Sequence, residues 1–173
     1  MIASLGFLVL HQFSTLSVRA DTAGRALKLV PLIVKAAAAE IPQSGWVVGS
    51  PDTVLVYAES FAVQMNMLAG SNLRVGDITG ALAGPYRAST PDRAVRCSPA
   101  DHAISCQTEA QRPYVELNYV MQADDGFDVV FTVRWTQRRA PMISSIGVHV
   151  VRLRFQWQGE TWVEKARQLL LQS

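Results

Sequence analysis

An α+β domain, with N-terminal helices packed on a curved antiparallel β-meander, is the fold the sequence predicts, and three observations carry it. In the first half, apolar residues recur at helical steps of three and four, as in Val54, Ala58, Phe61, Met65 and Leu68. From Ala94 onward the period shortens toward two, and turn residues separate the apolar runs at Ala123-Asp124-Asp125-Gly126 and Gln158-Gly159-Glu160. Hydrophobic residues make up 49% of the 173-residue chain and charged residues 17%, a balance that implies a packed core in one domain and argues against extensive disorder.

Residues 1–20, MIASLGFLVLHQFSTLSVRA, hold an apolar stretch from Ile2 to Leu10, and Val18 and Ala20 stand at the small-residue spacing of a signal-peptidase site. A signal peptide over 1–20 followed by a single α+β domain over 21–173 is therefore expected. No Lys or Arg precedes the stretch, and His11 and Gln12 interrupt it, so the competing reading is an N-terminal helix of the folded domain. The run is far short of the roughly 20 residues a membrane span requires, and no permanent span is expected.

Thr22 to Glu40 is rich in Ala, Leu and Lys and predicts a helix that Pro31 kinks or begins. Pro42, Ser44 and Gly45 interrupt it before a short strand at Trp46, Val47 and Val48, which Gly49, Ser50 and Pro51 end. A second helix is expected from Asp52, its N-cap, to Leu68, with Gly70 as its stop; the alternative is a strand over Thr53 to Tyr57, whose Val and Tyr favour that state. Asp77 to Leu82 reads as a short helix, and Gly84, Pro85, Ser89, Thr90 and Pro91 as a loop.

The meander comprises strands over 94–97, 103–109, 113–122, 127–138, 146–157 and 161–170, although the sequence from Lys165 to Leu171 also suits a terminal helix. Parity assigns one core face: Val115, Leu117, Tyr119 and Met121, then Phe127, Val129, Phe131, Val133 and Trp135, then Val151, Leu153, Phe155 and Trp157. The opposite parity carries Glu116, Asn118, Asp128, Thr132, Arg134, Thr136, Arg152, Arg154 and Gln156, a set suited to a wet outer face with cross-strand ion pairs.

Helices followed by a long meander, whose final hairpin reads Gln158-Gly159-Glu160-Thr161-Trp162-Val163, resemble the NTF2-like superfamily over residues 50–173. The resemblance is architectural and implies a curved antiparallel sheet wrapped over helices. Members of that superfamily include enzymes, ligand binders and interaction modules without shared catalytic residues, so it implies no residue role here.

Cys97 and Cys106, the only cysteines, enclose SPADHAIS and read as a disulfide, which by loop-closure entropy stabilises the fold by roughly 2–3 kcal/mol. A zinc site needs about four ligands, and past residue 20 only His102 and His149 accompany these cysteines, so no metal is expected. The formal charge is +2, and the basic residues are scattered, which disfavours nucleic acid. Only Lys28, Lys35 and Lys165 of the sixteen basic residues are lysines, so arginine, with its capacity for bidentate pairing, supplies most of the positive charge.

No nucleophile elbow, H-E-x-x-H, phosphate loop or dinucleotide fingerprint occurs. Asp124 and Asp125 precede Gly126 in a hairpin and read as turn residues, and His102 as a solvent-exposed residue of the cysteine loop. His149 shares the core parity of Val151 to Trp157 and reads as a hydrogen-bonded histidine near the sheet end, while Trp46, Trp135, Trp157 and Trp162 read as core. The functional expectation is an extracytoplasmic (periplasmic or secreted), noncatalytic binding or interaction module without a cofactor, for a small ligand or protein partner. Its candidate ligand-binding residues are Trp46, Tyr119, His149 and Trp157. The alternative is a small NTF2-like enzyme with a general acid or base in a pocket on the concave face, for which His149, Glu59 and Asp128 are candidates.

Overall fold

Gly6–Ala39 forms one helix, α1, richest in the good helix formers Ala, Leu and Lys from Arg25 onward and with Pro31 inside it, in a computed structural model that describes residues 6–42, 47–49, 52–69, 72–90, 95–100, 103–123, 126–140 and 143–173. Ala26, Leu29, Val30, Ile33, Val34 and Ala37 recur at helical spacing on α1 and are all buried. These residues face the sheet and supply one wall of the core.

The stretch predicted as a second helix from Asp52 divides instead. Val54–Tyr57 is a strand, β1, and the helix α2 occupies only Ala58–Ala69. The strand state wins because β1 is buried on both faces, Val54 and Val56 toward the main core and Leu55 against Tyr114 on the other side. Ser60 marks the junction: its hydroxyl donates to the Tyr57 carbonyl and accepts the Leu117 amide, tying the start of α2 to the sheet. A short helix, α3, spans Val75–Ala81; Asp77 sits in its first turn, where its carboxylate accepts the Arg74 amide at 2.7 Å.

The predicted loop over residues 84–91 contains a further strand, β2 (Tyr86–Ser89), which lies parallel to β1. The cysteine hairpin follows as β3 (Val95–Ala100) and β4 (Ala103–Thr108), then a single 3-10 turn at Glu109–Gln111, and then β5 (Tyr114–Ala123), β6 (Gly126–Ala140), β7 (Ile143–Gln158) and β8 (Thr161–Gln172). The main sheet has the order β2-β1-β5-β6-β7-β8, with β1 parallel to both neighbours and all later pairs antiparallel. The fold is α+β, as expected. The strand state also prevails from Lys165 to Leu171, where backbone pairing with β7 outweighs helix propensity.

Parity holds on β6 and β7 but breaks on β5. A register shift between Leu117 and Tyr119 turns Val120 into the core and leaves Tyr119 and Met121 exposed, reversing their predicted orientation. Phe61, Met65, Phe131 and Leu153 join the α1 residues as fully buried core, so the space between helices and sheet is filled with side chains.

The cysteine hairpin does not extend the meander. It forms its own two-stranded sheet, closed by the Cys97–Cys106 disulfide, and lies over the outer face of β6 and β7. The Thr108 amide donates to Thr136 Oγ1 at 2.9 Å, and the Ser144 amide to Ser105 Oγ at 3.1 Å, which is why Thr136 is buried on a face expected to be wet. Of the predicted strand at 46–48, Val47 makes an isolated bridge to Gln137, while Trp46 lies outside the described residues, as do His102 and the turn residues Asp124 and Asp125.

Gly147 pairs with Trp135, and a Cβ at this position would come within 2.4 Å of the indole. Because Trp135 is itself buried and has little room to yield, Gly147→Ala is expected to destabilise the protein by about 1–3 kcal/mol in urea denaturation.

Candidate ligand site on the outer face of the sheet

Alternation along β6 turns Asp128 away from Phe127 and Val129, toward the outer face, and alternation along β7 does the same for Arg152 and Arg154. Sheet register then builds two rows across four strands. Met121, Asp128, Arg154 and Ala166 form one; Tyr119, Val130, Arg152 and Gln168 form the other. The register shift in β5 is what adds Tyr119 and Met121 to this face, 37% and 48% exposed.

Asp128 is only 3% exposed and is held by both arginines. Arg154 engages it side-on, with Nε to Oδ1 at 2.8 Å and Nη2 to Oδ2 at 3.1 Å, and Arg152 Nη2 also donates to Oδ2. The hydrogen bonds from Arg154 outweigh the opposing effect of burial and, with Arg152, hold the Asp128 carboxyl down at about 2. A carboxylate so bound is a fixed anchor for two guanidiniums and a poor proton acceptor.

The arginine side chains remain 39% and 45% exposed beside a depression of about 270 Å³, lined by Asp128, Arg152, Arg154, Ala166, Arg167 and Gln168. Two guanidiniums against one carboxylate leave the Asp128 cluster with a net positive charge. Alongside it, Arg134 pairs with Glu116 at 2.7 Å, and the Thr132 hydroxyl donates to Asn118 at 2.8 Å.

The residues singled out from sequence occupy different places. His149 is on the core face, 7% exposed, with its ring edge against Trp135 at a centroid distance of 4.8 Å. Its Nδ1 is 3.9 Å from Glu40 Oε2, beyond hydrogen-bond reach, and neither ring nitrogen has a hydrogen-bond partner among the described residues, contrary to the satisfied histidine expected. Glu40 instead accepts Arg167 Nη1 at 2.5 Å, and Arg167 also chelates Glu164.

Trp157 lies eight residues along β7 from His149, roughly 26 Å away in an extended strand. It packs edge-on against Trp162 at 5.0 Å, under the Arg25 guanidinium and the Lys28 ammonium, while Trp162 Nε1 donates to the Arg25 carbonyl. Tyr119 is on the opposite face of the sheet from both. Glu59, exposed at the start of α2, accepts the Tyr57 hydroxyl at 3.2 Å. Tyr119, His149 and Trp157 therefore do not converge, nor do His149, Glu59 and Asp128. Among the described residues no group of three or more His, Cys, Asp or Glu is placed to hold a metal ion.

The site that does converge was legible in part. The alternation Arg152-x-Arg154 opposite Asp128 signals cross-strand pairing, whereas the join of Tyr119 and Met121 to it rests on a register shift that period-two reading passes over. Compared with protein-family models, curated proteins and solved structures, the chain matches none.

Burial and pairing separate Asp128 from His149 energetically. Asp128→Asn should cost about 1–3 kcal/mol, the buried-pair penalty reduced because both guanidiniums are partly in water. His149→Leu should fall within about 1 kcal/mol of wild type, because it removes polar atoms that make no hydrogen bond to the described residues. Since the folded-state value of Asp128 is depressed from 3.8 to about 2, its contribution is complete above the ordinary carboxylate range and is lost as pH falls toward 2. Urea melts of wild type and Asp128→Asn at a series of acidic pH values should accordingly converge at the lowest pH.

Proposed function

We propose that this chain is an extracytoplasmic, noncatalytic interaction module, periplasmic or secreted, that docks an acidic segment of a protein partner on the outer face of its sheet. The observation that carries the reading is the Asp128–Arg152–Arg154 cluster, with Tyr119 and Met121 in the adjoining rows. Tyr, Met and Arg are the residue types enriched where proteins bind one another. Anchoring by Asp128 lowers the conformational entropy the arginines lose when a carboxylate joins them, and the residual positive charge favours that carboxylate.

Extracytoplasmic placement is supported by the Cys97–Cys106 disulfide, which persists in oxidising compartments, and by the leader-like residues 1–20. No described helix is long and apolar enough to cross a membrane. Likeness to the NTF2-like superfamily belongs to the same reading, supported by helices that precede four consecutive antiparallel neighbours, β5 to β8. The enzyme alternative has less support, because its three candidate groups lie apart and Asp128 is held ionised by arginines.

Fluorescence anisotropy with a labelled octaglutamate peptide tests the docking face. Binding should weaken with added salt, and Arg152→Gln with Arg154→Gln should weaken it about tenfold or more. Equal affinity in the double variant would sink the assignment. Intact-mass analysis of the protein from an extracytoplasmic fraction should show loss of residues 1–20 and alkylation of Cys97 and Cys106 only after reduction; an uncleaved cytosolic protein with two free thiols would reverse the compartment.

A further inference from the structure

We infer that a second site, on the β2 side of the sheet, binds a small molecule through an oxyanion, a carboxylate or a phosphate. It is built from residues distinct from the Asp128 cluster and does not depend on the reading of that cluster. Its shape comes from β1, β2 and the 3-10 turn that precedes β5, which together enclose a depression of about 490 Å³ lined in part by Leu55, Arg87, Ser89, Thr90, Glu109 and Arg112.

The turn is the unusual feature. Ala110 and Gln111 both adopt left-handed backbone angles, with φ of 48° and 55°, a conformation that costs a residue with a Cβ about 1 kcal/mol or more. Two such residues in succession reverse the chain, so that Glu109 and Arg112 both reach the wall of the same depression as Ser89. The Arg112 amide closes the turn onto the Glu109 carbonyl at 2.9 Å. From the other side the backbone at Gly49 presses on it: a Cβ there would lie 2.0 Å from the Gln111 carbonyl oxygen, and Gly49 itself has a φ of 100°. Glycine is what permits this approach.

The polar groups in the depression suit an anion. Arg87 Nη1 donates to the carbonyls of Gly84 and Tyr86, both at 2.8 Å, which fixes the guanidinium at the rim. The Arg112 guanidinium has no hydrogen-bond partner among the described residues. Ser89 gives its proton to Glu109 Oε2 at 3.0 Å, so the one carboxylate in the depression is engaged with a neutral hydroxyl and neutralises at most one of the two arginines. One net positive charge, a further hydroxyl on Thr90 and a buried apolar contact at Leu55 describe a site for an oxyanion attached to a short carbon chain.

Titration of the full chain with succinate, and separately with inorganic phosphate, followed by two-dimensional amide NMR, tests the assignment. Shifts are expected at Ser89, Thr90 and Arg112, and Arg112→Gln should weaken binding about fivefold or more. Glu109→Gln retains an acceptor for Ser89 yet removes a repelling charge, so it should tighten binding; the same spectra report whether each variant is folded. A response to succinate alone identifies a carboxylate ligand and a response to phosphate alone a phosphate ligand, both in support. No shift with either anion, shifts unchanged by Arg112→Gln, or weaker binding in Glu109→Gln would overturn the site.

Discussion

The pairing of β6 with β7 sets the conditions for everything else. These strands run for 15 and 16 residues in an almost uninterrupted register, from Gly126↔Gln156 to Ala140↔Ile143. Alternation keeps one face apolar along most of this length and gathers most of the charged residues of both strands on the other, beside Val130, Ile146, Val148 and Val150. The apolar face, with Phe131, Val133, Val151 and Leu153, needs a cover wider than any single hairpin, and α1 and α2 supply it. The polar face in turn needs its buried charge compensated, and the arginines of β7 do this for Asp128.

From that division follows the location of the paired charges. The core side is filled by side chains from helices and sheet, and its polar residue, His149, is packed edge-on against Trp135. The outer side keeps guanidiniums partly in water while tethering them to a buried carboxylate. Exposed charge is therefore gathered on the outer face of the sheet, opposite the side that α1 and α2 cover.

The disulfide hairpin divides this open face. Packed over β6 and β7 through Thr108, Thr136 and Ser105, it leaves one depression toward β8 and another toward β2. The loop-closing bond between Cys97 and Cys106 thus reaches beyond its own hairpin, because a preformed hairpin loses less entropy on docking than a flexible loop of the same length.

Much was legible in the residues themselves. Composition identified α1 from Thr22 onward but not its start at Gly6, and periodicity identified the strands β5 to β8 and the core parity of β6 and β7, because composition and a two-residue repeat are local properties of the chain. Cys97 and Cys106 announced their bond, and Arg152, Arg154 and Asp128 their shared face, for the same reason. The tertiary structure alone decided what depends on partners distant in sequence. Val54–Tyr57 became a strand because β2 and β5 flank it, and Tyr86–Ser89 because β1 was there to pair with it. Tyr119 and Met121 moved to the outer face through one extra residue in β5, and Thr136 was buried by a hairpin that begins some forty residues earlier. Local sequence specifies which side chains alternate; which of the two faces is covered, and by what, is set by long-range packing that no window of neighbouring residues contains.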